Sequence, residues 1–257
     1  MDVELTRINA LLDKMKTISL EEMENIRLMD RIDSKFVAAV SLLPQLLEEM
    51  NPYFKVQKTE GKQIAPYCTQ YLDTPDLEMF VMHQNGKLNR QKIRIRSYVE
   101  SNLSFLEIKN KNNKGRTSKM RVPVPLSHLA SVDDLNEKKQ FVEKNSMFSS
   151  SNLKPSLANQ FQRITFVNNK ATERVTIDIN LSFANYRTGN KVALDELMIL
   201  ELKQSGRQHS DFREILHELN IKPLSFSKYC MGIVLTDPCV KYNRFKGKWS
   251  TINKLIR

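Results

Sequence analysis

In the segment QKIRIRSYV, Arg94 and Arg96 stand two residues apart, interleaved with Ile93 and Ile95. Successive side chains of a strand point to opposite faces, so the two guanidiniums share one face and the two isoleucines the other. The same spacing recurs in SFLEIKNK, where Glu107, Lys109 and Lys111 alternate with Leu106 and Ile108, and in TSKMRV, where Lys119 and Arg121 alternate with Met120 and Val122. In ERVTIDINLSF, Arg174, Thr176, Asp178, Asn180 and Ser182 oppose Val175, Ile177, Ile179, Leu181 and Phe183. ILELK sets Glu201 and Lys203 against Leu200 and Leu202, and RIDSKF carries Arg31, Asp33 and Lys35. One such strand describes an ordinary sheet with a dry face and a wet face. Strand after strand offering Arg or Lys with a single carboxylate nearby describes a cation-lined surface that a closing sheet turns inward.

Guanidiniums grip phosphate oxygens through two parallel hydrogen bonds, and ammonium groups add point charges. The mix of Arg94, Arg96 and Arg174 with Lys35, Lys109, Lys119 and Lys203 therefore suits a chain of phosphates better than a single carboxylate. Glu107, Asp178 and Glu201 supply hard oxygens for a divalent ion that bridges phosphate oxygens. A lumen lined in this way holds an anion or water, because an uncompensated buried charge is costly.

About eight strands are expected between Tyr53 and Gln204: YFKVQ, IAPYCTQYL, QKIRIRSYV, LSFLEIKNK, TSKMRVPV, NQFQRITFV, ERVTIDINLSF and ELMILELKQ. Polar turns such as Asn112-Asn113-Lys114-Gly115 separate several of them. Helices are expected at the N-terminus, where Leu5, Ile8, Leu12 and Met15 keep helical spacing, and again from Ser19, whose partner Glu22 completes a capping box. VAAVSLLPQLLEEM after Phe36 reads as another helix, interrupted or begun afresh at Pro44. Helical insertions are expected at PDLEMFVMHQ, SHLASVDDLNEKKQFVEK and SDFREILHELN. The fold class is thus α+β: an antiparallel β-barrel of about eight strands with flanking helices, wide enough for side chains plus one slender ligand. One domain over residues 1–257 is expected, with N-terminal helices in 1–30, a tunnel core in 31–235 and a basic C-terminal tail in 236–257.

The whole chain agrees with this reading. Its 257 residues, 40% hydrophobic and 27% charged, exclude disorder, and seven glycines exclude collagen-like or glycine-linker architectures. Forty Lys and Arg against 29 Asp and Glu give +11, which fits nucleic acid, an acidic membrane or a polyphosphorylated compound as partner. The proposed lining carries about +7 of that charge and the tail about +6, leaving a near-neutral shell. Asp2, Glu4 and Asp13 argue against a signal or transit peptide, and no apolar run reaches the roughly 20 residues of a membrane span. Cys68, Cys230 and Cys239 form neither a disulfide framework nor a zinc motif, so a reducing cytoplasm is expected. The four histidines are expected at the surface or in packing. The tail KYNRFKGKWSTINKLIR, acid-free and anchored by Trp249 and Ile252, reads as a solvated tail or domain cover; the alternatives are docking to acidic lipid at the inner face of a membrane, to exiting polyphosphate or to a partner.

At these residues the sequence resembles the polyphosphate polymerase domain of the vacuolar transporter chaperone (VTC) family, within the triphosphate tunnel metalloenzymes. The matching elements are R-x-D-x-K at Arg31 to Lys35, YLDT at Tyr71 to Thr74, IRIR at Ile93 to Arg96, FLEIK at Phe105 to Lys109 and SKMR at Ser118 to Arg121. R-x-x-F at Arg163 to Phe166, RVTID at Arg174 to Asp178, LELK at Leu200 to Lys203 and FSKY at Phe226 to Tyr229 follow in family order. The resemblance implies a tunnel that binds ATP or another triphosphate, or a polyphosphate chain, and transfers the terminal phosphoryl group with Mn2+ or Mg2+. On that footing Arg94, Arg96, Lys109, Lys119, Arg163, Arg174 and Lys228 clamp phosphates, with Arg31, Arg121 and Lys203 beside them. Lys35 sits near the reacting phosphoryl and Glu201 holds the metal; Lys35, Arg94, Arg96 and Glu201 are the catalytic set. A phosphate acceptor gives polymerisation, water gives triphosphate hydrolysis, and binding without turnover gives a sensor. Two departures stand out. The E-x-E-x-K carboxylates of the related CYTH branch are missing near the N-terminus, and Ser225 occupies a position three before Lys228 where a basic residue is expected. The SPX domain and membrane spans of some family members are also missing, so a transport role needs a separate membrane protein. No helix-turn-helix, zinc or RNP pattern marks a specific nucleic-acid reader.

Overall fold

A computed structural model describes residues 2–26, 28, 31–125, 136–206 and 208–256. In chain order the elements are α1 (Asp2–Leu12), β1 (Thr17–Ser19), α2 (Leu20–Asn25), β2 (Arg31–Ala39), α3 (Leu43–Met50), β3 (Phe54–Lys58), β4 (Ile64–Asp73) and α4 (Glu78–Gln84). Then come β5 (Arg90–Tyr98), β6 (Leu103–Lys111), β7 (Thr117–Val124), α5 (Asn136–Asn145), β8 (Lys154–Asn168), β9 (Glu173–Asn185), β10 (Lys191–Leu194) and β11 (Leu197–Ser205). Helices α6 (Asp211–Glu218), α7 (Lys228–Thr236) and α8 (Asn243–Leu255) complete the order.

The expected capping box forms at α2: Ser19 Oγ accepts from the Glu22 amide at 3.1 Å, and the Ser19 amide donates to Glu22 Oε2 at 2.8 Å. Pro44 lies in the first turn of α3, where its missing N–H costs nothing. The helix expected directly after Phe36 is a different matter, because β2 runs on to Ala39 before a 3-10 turn at Val40–Leu42. Pairing along the whole of β11 holds this β-branched and small-residue stretch extended. Of the insertion expected over residues 127–144, residues 127–135 lie outside the described residues, and α5 covers the rest.

Eight strands follow one another in the order β2-β11-β9-β8-β4-β5-β6-β7, antiparallel at every step, with β1, β3 and β10 as short additions. Laid flat, β2 and β6 would be about 29 Å apart at ~4.8 Å per strand. Instead Lys109 of β6 lies within electrostatic reach of Lys35 on β2 and Glu201 on β11. The sheet therefore curls so that its charged face is concave. Hydrogen-bonded closure into a full barrel does not occur among the described residues: β2 and β7 are the two ends of the path. Lys119, Arg121 and Pro123 on β7 are residues typical of a protected edge.

The convex face carries the dry alternation read from sequence. Phe36, Ile164, Phe166, Val175, Ile177, Leu200 and Leu202 pack under α1, α3 and α6, while Ile93, Ile95, Leu106 and Ile108 pack with Val142 of α5 and Met79 of α4. One departure alters the lining. Asn180 has φ +52°, a left-handed conformation that Asn tolerates, and the β8–β9 register slips beside it, between Gln160 and Gln162. Beyond this bulge the alternation inverts, so Leu181 and Phe183 join the cluster of Val37, Leu157, Phe161, Leu197 and Ile199, away from the Ile177–Ile179 side. Helices α7 and α8 cover that apolar end of the concavity. Gly232 of α7 is needed there, because a Cβ would lie 2.4 Å from Leu157 Cδ2 and 2.6 Å from Phe183 Cδ1.

Candidate functional site

Three carboxylates organise the concave face, each opposite a cation on the neighbouring strand. Arg163 and Asp178 are paired across β8 and β9, and the guanidinium meets the carboxylate at two points, Nε–Oδ1 2.6 Å and Nη2–Oδ2 2.8 Å. Lys228, at the start of α7, donates to the same Asp178 Oδ2. Arg94 and Glu107 are paired across β5 and β6, with Nε–Oε2 2.8 Å and Nη2–Oε2 2.7 Å, and Lys119 of β7 takes Glu107 Oε1 at 2.9 Å. Lys35 and Glu201 are opposite on β2 and β11, and Lys35 Nζ donates to Glu201 Oε1. Three carboxylates thus serve five cations. Arg96, Lys92, Lys109 and Lys203 have no carboxylate in salt-bridge contact among the described residues.

Arg96 is the most enclosed of these, 9% exposed, with Nε on Thr69 Oγ1 at 3.3 Å. Its guanidinium stands over Tyr67 at 5.7 Å and Phe161 at 5.9 Å, and Arg163 shares the two rings at 5.1 and 5.3 Å. Lys228 Nζ is 4.2 Å from the Phe161 centroid. Burial, with Arg94 and Arg163 adding to it, pushes Arg96 down to about 10.

The remaining titrations describe one field. Burial raises the carboxyls, but Arg94 and Arg96 overcome it at Glu107, Lys203 and Lys35 overcome it at Glu201, and both settle at about 2. Arg163 and Lys228 hold Asp178 lower still. Burial and neighbouring cations push Lys203 and Lys228 down to about 8. Lys109 also falls to about 8: although much of it is open to solvent, the surrounding walls desolvate it and Lys35, Lys92 and Arg94 repel it. The face carries positive charge beyond what its own carboxylates neutralise, which is the condition for holding a polyanion.

Arg31, Arg121 and Arg174 sit at the rim. Arg31 forks onto Asp33 at 2.7 and 3.3 Å, and Arg121 stands over the Phe105 ring at 4.5 Å. Arg174 donates to Met23 O at 2.7 Å, which fastens the end of α2, and its register neighbour is Lys203. The YLDT and FSKY segments meet in the interior, where Asp73 accepts from the Thr74, Met79 and Phe80 amides and from the Tyr229 hydroxyl. That knot seats both α4 and the helix that carries Lys228.

Sequence reasoning missed Lys92, Tyr67, Phe161 and Lys248. Lys92 shares the spacing of Arg94 and Arg96 and was legible as K-x-R-x-R; its Nζ donates to Ser227 Oγ at 2.8 Å. Tyr67 and Phe161 gave no signal, since they carry no charge. Lys248 of α8 donates to Ser225 Oγ, so an ammonium reaches the place where sequence reading expected a basic side chain.

Among the described residues no group of three or more His, Cys, Asp or Glu could hold a metal ion. Glu107 and Asp178 have both oxygens engaged. Glu201 commits Oε1 to Lys35, and its second oxygen has no hydrogen bond among the described residues. A lone carboxylate oxygen fits a divalent ion whose other ligands are substrate phosphate oxygens and water.

A profile of the VTC domain matches residues 30–236. The chain belongs to the VTC domain family. No curated protein sequence matches it. Among solved structures, a candidate adenylate cyclase from Bacillus halodurans superposes with a TM-score of 0.50 at 14% identity, over 77% of this VTC chain and 96% of that one. HpAC1 from Hippeastrum, described as a candidate adenylyl cyclase with a dominant triphosphatase activity, gives 0.46 at 13% over 80% and 96%. PH1819 from Pyrococcus horikoshii OT3 gives 0.43 at 14% over 79% and 98%. At 14% identity the Bacillus likeness is one of fold. No helix among the described residues of the VTC chain is long and apolar enough to cross a membrane.

Proposed function

We propose that the concave face clamps the phosphates of ATP and, with a divalent ion, Mn2+ or Mg2+, passes the terminal phosphoryl group to an inorganic polyphosphate chain. The observation that carries this reading is the convergence of Arg94, Arg96, Lys109, Arg163, Lys203 and Lys228 around Glu107, Asp178 and Glu201, with Asp33 beside Lys203, so that among the described residues cations outnumber carboxylates on this face. Lys119 and the rim residues Arg31, Arg121 and Arg174 extend the clamp. Lys35 and Glu201 act at the reacting phosphoryl, with the free Glu201 oxygen as the protein's ligand to the ion. Residues 31–235 work as the tunnel core within one domain, with 1–30 and 236–257 as covers.

The reaction asks little covalent chemistry of the protein. The bond between the γ-phosphorus and the β–γ bridging oxygen breaks, a terminal chain oxygen bonds to that phosphorus, and ADP leaves. The side chains hold the two phosphate chains in line and neutralise the charge that spreads over the transferring group. A divalent ion held by the free Glu201 oxygen would neutralise part of the charge on the transferring phosphoryl group.

Incubation with ATP and Mn2+ should yield long phosphate chains. Steady release of free phosphate without chains would make the protein a triphosphatase or nucleoside triphosphatase. Tight triphosphate binding without turnover would make it a sensor.

A further inference from the structure

We propose that Thr176 is a positioning residue for Glu201: its hydroxyl takes up the carboxylate oxygen that Lys35 releases when the Lys35 ammonium turns to the phosphates. This rests on the functional reading above and deepens it with a residue that the reading does not use.

Thr165, Thr176, Glu201 and Lys35 form one cross-strand rung over β8, β9, β11 and β2. Val175 and Ile177, on either side of Thr176, pack into the core of the convex face, so the threonine side chain stands on the concave one. Neighbours across such a rung have Cβ atoms about 4.5–5.5 Å apart, which puts a threonine hydroxyl within reach of the next strand's carboxylate.

The rung is unevenly satisfied. Thr176 is 4% exposed, and its Oγ1 is buried with no hydrogen-bond partner among the described residues. A buried hydroxyl without a partner is destabilising, and a valine of the same shape would avoid that cost. Glu201 is the complement: Oε1 accepts from Lys35, and the second oxygen has no hydrogen bond among the described residues. A donor without an acceptor thus stands beside a carboxylate whose hydrogen bond comes from the cation that the reaction calls away.

The Lys35 side chain is 34% exposed and that of Glu201 19%. The ammonium is therefore the partner able to swing up to a phosphate, while the carboxylate stays on the floor with Thr176. This exchange alters what the carboxylate can do. Lys35 fixes its direction but cancels its charge, whereas a neutral hydroxyl fixes its direction and leaves the charge for a divalent ion at the other oxygen. Threonine suits the task because its branched side chain has few rotamers, and outer hydrogen bonds of this kind orient metal-binding carboxylates.

The test compares the wild type with Thr176→Val and Thr176→Ser, each also combined with Glu201→Gln. Mn2+ affinity in the presence of a non-hydrolysable ATP analogue is read by electron paramagnetic resonance, stability by urea denaturation and turnover with ATP and Mn2+. Thr176→Val should weaken Mn2+ binding and lower kcat, each by about tenfold or more, as for other outer-shell changes at metal sites. Its KM for ATP and its metal-free affinity for the analogue should not change, and its urea midpoint should be equal or higher. Thr176→Ser should restore Mn2+ affinity and kcat. In the Glu201→Gln background Thr176→Val should cause no further loss of Mn2+ affinity, because it acts through that carboxylate. Wild-type Mn2+ affinity in Thr176→Val, or an equal loss in the Glu201→Gln background, overturns the positioning role and leaves the clamp standing. The Mn2+ readout needs no turnover. Failure of the wild type to bind Mn2+ with the analogue overturns the functional reading and the positioning role together.

Discussion

Arg163 and Asp178 face each other across β8 and β9 in a two-point salt bridge, and Lys228 arrives from α7 to complete a triad around one carboxylate that is 3% exposed. Breaking a buried pair leaves the remaining charges uncompensated, which costs about 3–5 kcal/mol. Asp178→Asn should lower the unfolding free energy by that order in denaturant titrations. Added triphosphate should restore part of it by supplying counter-charge. An unchanged midpoint would mean that the triad contributes nothing to the fold.

Arg96 predicts the opposite sign for stability. It is buried, has no carboxylate in salt-bridge contact among the described residues and rests on a threonine and two aromatic rings. Arg96→Met keeps the apolar stem and removes the uncompensated charge, so the urea midpoint should rise while triphosphate affinity falls about tenfold or more. A variant that loses stability and keeps its affinity would show Arg96 to be structural.

Glu201 separates binding from chemistry. Glu201→Gln removes a negative charge from the concave face, so metal-free triphosphate binding should tighten. Metal-dependent turnover should drop by at least about 100-fold, since even outer-shell changes at metal sites cost 10–100-fold. Full turnover in this variant, measured by product formation with ATP and Mn2+, would remove Glu201 from the ion.

Lys109, Lys203 and Lys228, at about 8, lie below the ordinary lysine value of 10.5. Between those limits the unfolded chain binds more protons than the folded one, so the unliganded protein should gain stability as pH rises from 8 towards 10.5. Binding has the reverse dependence. A phosphate chain favours the ammonium form, so triphosphate affinity should weaken above pH 8, and binding near that pH should take up protons. Titration calorimetry in two buffers of different ionisation enthalpy reads this directly, and zero uptake would contradict it. Glu107 and Glu201, at about 2 against an ordinary 4.5, add stability above pH 4.5 that is lost as pH falls through 2.

Most of the lining was readable without coordinates. The alternation of Arg94, Glu107, Lys109, Lys119, Asp178, Glu201 and Lys203 with apolar residues follows from strand geometry alone, and those side chains do share the concave face. The alternation also misled past Asn180, because a single left-handed residue exchanges the two faces and one turn of backbone leaves no periodic trace. Lys248 was read only as part of a basic tail, since its nearness to Ser225 depends on where α8 packs. The helix expected after Phe36 failed for a related reason: VAAV is locally ambiguous, and pairing with β11 decided it.

The sequence by itself determined which residues share a face within each regular stretch of strand, because strand alternation is imposed within a few residues by chirality and backbone sterics. Only the tertiary structure decided that the face is concave, that β2 and β7 do not pair with each other among the described residues, and that helices α7 and α8 bring Lys228 and Lys248 to it. Those outcomes depend on contacts between residues far apart in the chain, such as Lys35 with Glu201, 166 positions apart. The accumulated twist of eight strands and the packing of helices on both sides set them, and neither is written in any short stretch of the chain.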